Sequence, residues 1–485
     1  MDPKNKLEVY AMSGCCGASV SVEFSARMTK PSAGYLSKLP VAIIGGGPVG
    51  LAAAAHLVAK GESFILFEAA GQIAGNVASW SHVRVFSPWR YNIDKAAKQL
   101  LELSGWKAPK DDDLPTGGQL VDQYLAPLAE LPVVKPYIHL NAKVTAVSRK
   151  GLSKIKTAGR EKLPFVLHVL EKGERKVYEA KAVIDASGTW STPNPAVSEG
   201  VWTDDELKMK NKITYGIPDV WGKHRDRYAG KNVLVVGSGH SAINVLLDLE
   251  RLKEQEPQTN ITWIIRKSDV SAVYGGQEND GLPERGALGI RLKNLVASGK
   301  VHVHSSFLIE GFQPSGDKMI VKGSRNGETF QIDSIDEIIS NTGSRPDMSF
   351  LREVRTDLDS AVESVRALAP LIDPNIHSCG TVRPHGEKEL RQPEPDFYIV
   401  GSKSYGRAPT FLMATGYEQV RSVVAALTGD WEAAEKVELE LPETGVCSVG
   451  NFGKQSVQEL NDMHASGCCN STSTASAAAS ASCCG

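Results

Sequence analysis

Twice along this chain a short aliphatic run leads directly into closely spaced glycines and then into a helix-like stretch, and few folds accommodate that pattern. The first instance is Val41-Ala42-Ile43-Ile44 followed by Gly45-Gly46-Gly47-Pro48-Val49-Gly50. The second is Val233-Leu234-Val235-Val236 followed by Gly237-Ser238-Gly239-His240-Ser241-Ala242. Four consecutive aliphatic residues without polar alternation read as a strand buried on both faces, the situation in a parallel sheet covered by helices. The chain therefore reads as α/β, with one such unit opening at each motif.

The glycine spacing also carries chemistry. In the first motif Gly45 allows the tight turn, Gly47 lets the backbone approach a pyrophosphate, and Gly50 lets helix and strand pack closely. The helix starting at Pro48 turns its positive end toward the phosphates. The next apparent strand, Phe64-Ile65-Leu66-Phe67, ends at Glu68, where a carboxylate accepts hydrogen bonds from a ribose diol. The second motif is the G-x-G-x-x-A variant, with Gly237, Gly239 and Ser241 as its contact residues. Its following strand, Ile261 to Ile265, ends in Arg266-Lys267 rather than in an acid. A guanidinium there suits a 2′-phosphate, so NADPH is expected in preference to NADH.

Bulk properties narrow the partners. At 485 residues, 41% hydrophobic and 23% charged, the chain is long enough for about two or three domains. Lysine and arginine (54) nearly balance aspartate and glutamate (56), which points to a small-molecule substrate and away from nucleic acid or an anionic membrane surface. Apolar stretches such as Leu51 to Ala59 are far shorter than the roughly 18 residues of a candidate span. The first 38 residues have no apolar core of a secretory signal. A cytoplasmic enzyme is expected, with a homodimer as the commonest assembly of such proteins.

Two motifs in this order resemble the two-dinucleotide flavoproteins, with flavin-containing monooxygenases on one side and thioredoxin-reductase-like enzymes on the other. Further matches are Ala186-Ser187-Gly188-Thr189, Asn341-Thr342-Gly343-Ser344-Arg345-Pro346, and Phe397-Tyr398-Ile399-Val400-Gly401-Ser402 ahead of a helix-like Thr415 to Ala426. The resemblance implies two Rossmann-like domains, with the NADPH domain inserted in a discontinuous FAD domain. It assigns 39–228 and 331–430 to FAD and 229–330 to the nicotinamide cofactor, between flexible extensions at 1–38 and 431–485. Ile217-Pro218 through Gly230 reads as the crossing segment, with a return near Ile338 to Pro346. Gly188, Gly343, Gly401 and Ser402 become cofactor contacts, although Ser402 stands where many relatives carry Asp. Phe86-Ser87-Pro88-Trp89-Arg90-Tyr91 reads either as a wall of the flavin pocket, led by Trp89, or as an ordinary packed loop. His224-Arg225-Asp226-Arg227-Tyr228 is similar to part of the monooxygenase linker signature, with Val220 and Pro218 in place of its glycine and aromatic residue.

Cysteines bear on the choice between branches. Six of the eight form adjacent pairs, Cys15-Cys16, Cys468-Cys469 and Cys483-Cys484, and no C-x-x-C dithiol occurs. Disulfide reductases of this kind pass electrons through such a dithiol. The leading expectation is thus an NADPH-dependent, FAD-containing monooxygenase that uses molecular oxygen on a soft heteroatom, with no side chain singled out as catalytic. A flavin or disulfide reductase working through tail thiols is the second expectation. Thiolate pairs also suit soft ions, and the chain resembles, more loosely, flavin monooxygenases associated with arsenic resistance. The paired cysteines are therefore candidate metal or metalloid ligands, and a metalloid-binding protein is the third expectation. His377-Ser378-Cys379-Gly380 with His385 offers another soft site or, alternatively, structural capping.

Overall fold

The computed structural model describes residues 34–280, 282–374 and 382–439. The first aliphatic run is the centre of a five-stranded parallel sheet, in the order Phe397–Ile399, Ala182–Asp185, Val41–Ile44, Phe64–Phe67, Ile138–His139. Val41 lies opposite both Phe64 and Ala182, and all four residues of its strand are buried. The helix Pro48–Ala59 covers this sheet with small side chains, Ala52 to Ala55 being wholly buried. Pro at its start costs nothing, because the amide it lacks has no acceptor there.

The second run centres another parallel sheet, in the order Val301–His304, Asn260–Ile264, Asn232–Val236, Glu337–Ser340, Ile213–Tyr215. Helices His240–Gln255 and Pro283–Ala297 pack beside it. This sheet reaches beyond 229–330 on both sides, so its unit is wider than the sequence suggested. The Ile217–Gly230 stretch is consequently not the crossing; it joins two strands of the same sheet. Ile213–Tyr215 is three residues long, too short to show a period. The chain crosses earlier, where Pro193 and Ser344 form an antiparallel bridge. There Asn194 N–H donates to Gly343 O (2.9 Å) and Arg345 N–H to Thr192 O (3.0 Å).

Each unit also carries a three-stranded antiparallel sheet, 142–180 in the first and 307–335 in the second. Phe165–Glu171 alternates buried and outward residues along most of its length, as a one-sided sheet requires. The buried Glu394 carboxylate binds both Arg149 (2.8 Å) and Arg160 (2.8 Å), fastening this sheet to the segment before the last strand.

The flexible tail expected from 431 is contradicted over its first residues. Asp430 caps the helix Trp431–Glu435, and Ala434 is buried against Met413–Leu427, so the chain stays packed through 439. The three cysteine pairs, with His377, Cys379 and Cys447, lie outside the described residues. Among the described residues no helix is long and apolar enough to cross a membrane.

Candidate dinucleotide-binding sites

At the first turn Gly45 adopts φ +102°, and a β-carbon there would lie 2.7 Å from Ala186 O. A β-carbon on Gly50 would lie 1.9 Å from Gly45 O, so helix and turn meet backbone to backbone. At Gly47, by contrast, the same position faces open space. The opening lies beside Pro48, at the helix end whose amides lack intrahelical acceptors. Glu68 sits at the end of the neighbouring strand, and its carboxylate accepts from Gly46 N–H (2.7 Å) and Ala70 N–H (2.8 Å). It thereby anchors the glycine turn, with lone pairs left over for a ribose diol.

Folding brings the distant matches to this turn. Gly188 (φ +69°) has Ser402 Oγ as its neighbour, 3.4 Å from where a β-carbon would be, and Gly401 (φ +69°) abuts Val49 of the first helix. Gly401 N–H donates to the buried Gln419 side chain (2.7 Å). Behind them Lys403 Nζ donates to Asp185 Oδ2 (2.6 Å) and Ser187 Oγ (3.0 Å), with both charged side chains fully buried. This ion pair ties the ends of two adjacent strands together under the cradle. Lys403, Asp185 and Gln419 were not singled out from sequence, because single polar residues at a strand end, in a turn and within a helix share no spacing signal. Thr410 Oγ1, beside Phe411 whose ring flanks Val49 and Gly416, is buried without a hydrogen-bond partner among the described residues. An unpaired polar atom next to an open glycine turn fits a ligand with polar edges.

Trp89 is buried in the first unit's core, and its neighbour Arg90 pairs with Asp112 outside. The aromatic side chains after the strand Ala182–Asp185 are instead Trp190 and its neighbour Trp80, with centroids 6.3 Å apart. Gly343 (φ +83°) lies in the return crossing against Asn194. His385, proposed above as a ligand or a cap, is buried. One ring nitrogen meets Arg383 O (3.1 Å) and the other the Gln419 amide (2.8 Å), so both nitrogens are committed within the fold. Among the described residues no cluster of three metal-ligating side chains occurs.

At the second turn Gly237 takes φ +122°, and a β-carbon would lie 2.3 Å from Asn341 O. The buried Trp263 indole donates to Gly237 O (2.7 Å), holding the turn from the adjacent strand. Gly239 faces open space and immediately precedes His240–Gln255, with Ser241 at that helix's second position. Burial, helped by the Arg285 guanidinium, pushes the His240 imidazole down to about 4, so it is neutral around pH 7. Arg266 projects into solvent at the end of the strand with no hydrogen bond or ion pair to described residues, while Lys267 Nζ donates to Ala272 O (2.9 Å). The second turn thus combines an open glycine, a helix N-terminus and, just past the end of its neighbouring strand, an exposed guanidinium, whereas the first has a carboxylate at the corresponding strand end.

Residues 42–378 match the family model described as pyridine nucleotide-disulphide oxidoreductase. The monooxygenase cfoE of Aspergillus candidus is 28% identical over 216 residues, 42% of this chain and 32% of that one. A ferredoxin–NADP reductase of Lactiplantibacillus plantarum is 24% identical over 314 residues, 64% and 74% of the two chains. The aligned part thus spans about a third of the first relative and most of the second. In fold the chain is similar to the bacillithiol disulfide reductase of Bacillus cereus (TM-score 0.58, 18% identity, 81% of this chain and 99% of that one). It is similar also to DfoA of Erwinia amylovora, a cadaverine monooxygenase bound to FAD (TM-score 0.59, 11% identity, 86% and 99%). The family match takes in both glycine turns and both crossings, and the chain belongs to the pyridine nucleotide-disulphide oxidoreductase family.

Proposed function

We propose that the chain is an NADPH-dependent, FAD-containing monooxygenase that oxidises a soft heteroatom: sulfur, nitrogen or trivalent arsenic. The observation that carries this reading is the make-up of the first cradle. Gly45–Gly50, Ala186–Trp190 and Gly401–Phe411 are all described, and none of these residues is a cysteine. Electrons leaving through a protein dithiol need a thiol pair beside the flavin; a cradle without sulfur is suited to dioxygen. The monooxygenase relative supports the same choice. FAD held by the first glycine turn and Glu68 would supply hydride acceptance and oxygen chemistry to the site.

The chain's own part is to hold and shield. Gly47 and Gly239 open the backbone to the two pyrophosphates, and Glu68 orients a ribose. Lys403 and Asp185 would fix the strand ends beside the glycine turn that holds the flavin nucleotide, and Trp80 with Trp190 would supply aromatic surface near the crossing. Arg266 is free to bind a 2′-phosphate, which favours NADPH. Within the substrate class, the paired cysteines favour trivalent arsenic, since thiolates are soft ligands.

The test is NADPH consumption by the FAD-loaded protein with and without oxygen, titrated with arsenite, methylarsenite, a thioether and a disulfide. Oxygen-dependent consumption matched by oxidised product is expected. Rapid anaerobic turnover with the disulfide would move the function to the second reading, a reductase using tail thiols. That reading is favoured by the ferredoxin–NADP reductase relative, which aligns over more of both chains.

A further inference from the structure

A cleft of about 350 Å3 opens between the two units, apart from the glycine turns. One wall is the extended segment His82–Phe86 with Leu114 and Thr116, which the first unit sends out after its second strand. The other wall is two helix faces: Asn244, Asp248 and Arg251 on His240–Gln255, and Glu284, Leu288 and Arg291 on Pro283–Ala297. Both sets follow the four-then-three spacing that puts side chains on one side of a helix.

Three guanidinium groups line this space against two carboxylates. Arg84 donates to Leu114 O, which leaves most of its donors unused. Arg251 lies over the Trp221 ring at 4.5 Å, with one nitrogen 3.9 Å from Asp248. Arg291 makes no hydrogen bond or ion pair with described residues. His82 Nε2 is shielded from solvent and has no hydrogen-bond partner among the described residues, a costly state for an imidazole nitrogen unless a ligand completes it.

We infer that this cleft binds the carboxylate or phosphate group of a small molecule between Arg84, Arg251 and Arg291, with His82 Nε2 as a further donor. Guanidinium forks match the planar edges of both groups. The volume lies at the low end of the roughly 300–1,000 Å3 of small-molecule sites, below what a dinucleotide would fill. Arg266 and Lys267 do not line the cleft, so the site is separate from the one expected for a 2′-phosphate. Because its walls come from both units, a bound anion bridges them. Phe86, in the cleft wall, also packs its ring against His240 (5.1 Å), the first residue of the second cradle's helix.

The experiment is calorimetric titration of the full-length, FAD-loaded protein, saturated with NADP+ so that the second glycine turn and Arg266 are already occupied, with inorganic phosphate and, separately, citrate, at constant ionic strength held with chloride. Saturable binding of one anion per chain is expected, and the better probe identifies the headgroup as phosphate or carboxylate. Arg291→Gln, at an exposed side chain whose charge attracts Asp248 without a hydrogen bond or ion pair to it, should weaken binding about tenfold, and Arg251→Gln/Arg291→Gln further. Arg266→Gln should leave it unchanged. Three outcomes would overturn the site: no saturable binding of either anion, binding unaltered in Arg291→Gln, or binding lost in Arg266→Gln.

Discussion

Lys403 and Asp185 are a lysine and an aspartate removed entirely from water beneath the first cradle. Such a pair contributes little net stability when whole, but breaking it strands a buried charge at a cost of about 3–5 kcal/mol. Lys403→Met should therefore lower urea-unfolding stability by that amount and release FAD, read as a rise in free flavin fluorescence. Arg266 is the opposite case, exposed and unpaired. Arg266→Gln should reduce the preference for NADPH over NADH by about tenfold or more without loss of stability, as measured by the ratio of the two dissociation constants. Burial pushes Asp248 up to about 6 from 3.8. The folded chain then holds this proton more tightly than the unfolded chain, so stability falls as pH rises through 4 to 6. At pH 8 the penalty is complete. Asp248→Asn removes it and should raise stability at pH 8 by up to about 3 kcal/mol, with no gain at pH 3.5. Thermal unfolding of both proteins at the two pH values checks the sign.

At the scale of elements, the two glycine turns are the rigid parts of the design. Each has a positive-φ glycine jammed against the end of a neighbouring strand, Gly45 on Ala186 and Gly237 on Asn341. A methyl group at Gly237 must push backbone, so Gly237→Ala should abolish NADPH binding while FAD content stays unchanged, as measured by nucleotide titration of the yellow protein. The turns were legible because their requirements are local: an aliphatic strand, a fixed glycine spacing and a helix start are all contiguous. Gly401 and Ser402 were legible only through resemblance, although the structure does set them against Val49 and Gly188. Trp89 shows where local reading stops. An aromatic residue in a loop looks the same in sequence whether it faces a cofactor or a core, and its ring is 3% exposed within the core.

At the scale of the whole molecule, two strands of chain pass between the units and hold each other. Arg345 Nε donates to Asn194 Oδ1 (2.8 Å), Ser344 Oγ to Thr189 Oγ1 (2.9 Å), and Asn194 Nδ2 to Thr342 O (3.0 Å). Arg345→Ala leaves the Asn194 side-chain oxygen unsatisfied, a loss of about 1–3 kcal/mol, and should separate thermal unfolding into two transitions in calorimetry. The amino-acid sequence was enough for the fold class, the two turns and the contrasting acid and arginine at the strand ends, because each is read from one contiguous strand–turn–helix–strand stretch. Tertiary structure alone decided where the chain crosses, how far the second sheet extends, and that 431–439 packs rather than trails. It alone paired Lys403 with Asp185 and Trp263 with Gly237, and assembled the arginine-lined cleft from four separate segments. Those outcomes rest on contacts between residues far apart in the chain, where spacing carries no information and only packing and the need to satisfy buried polar groups select the partner.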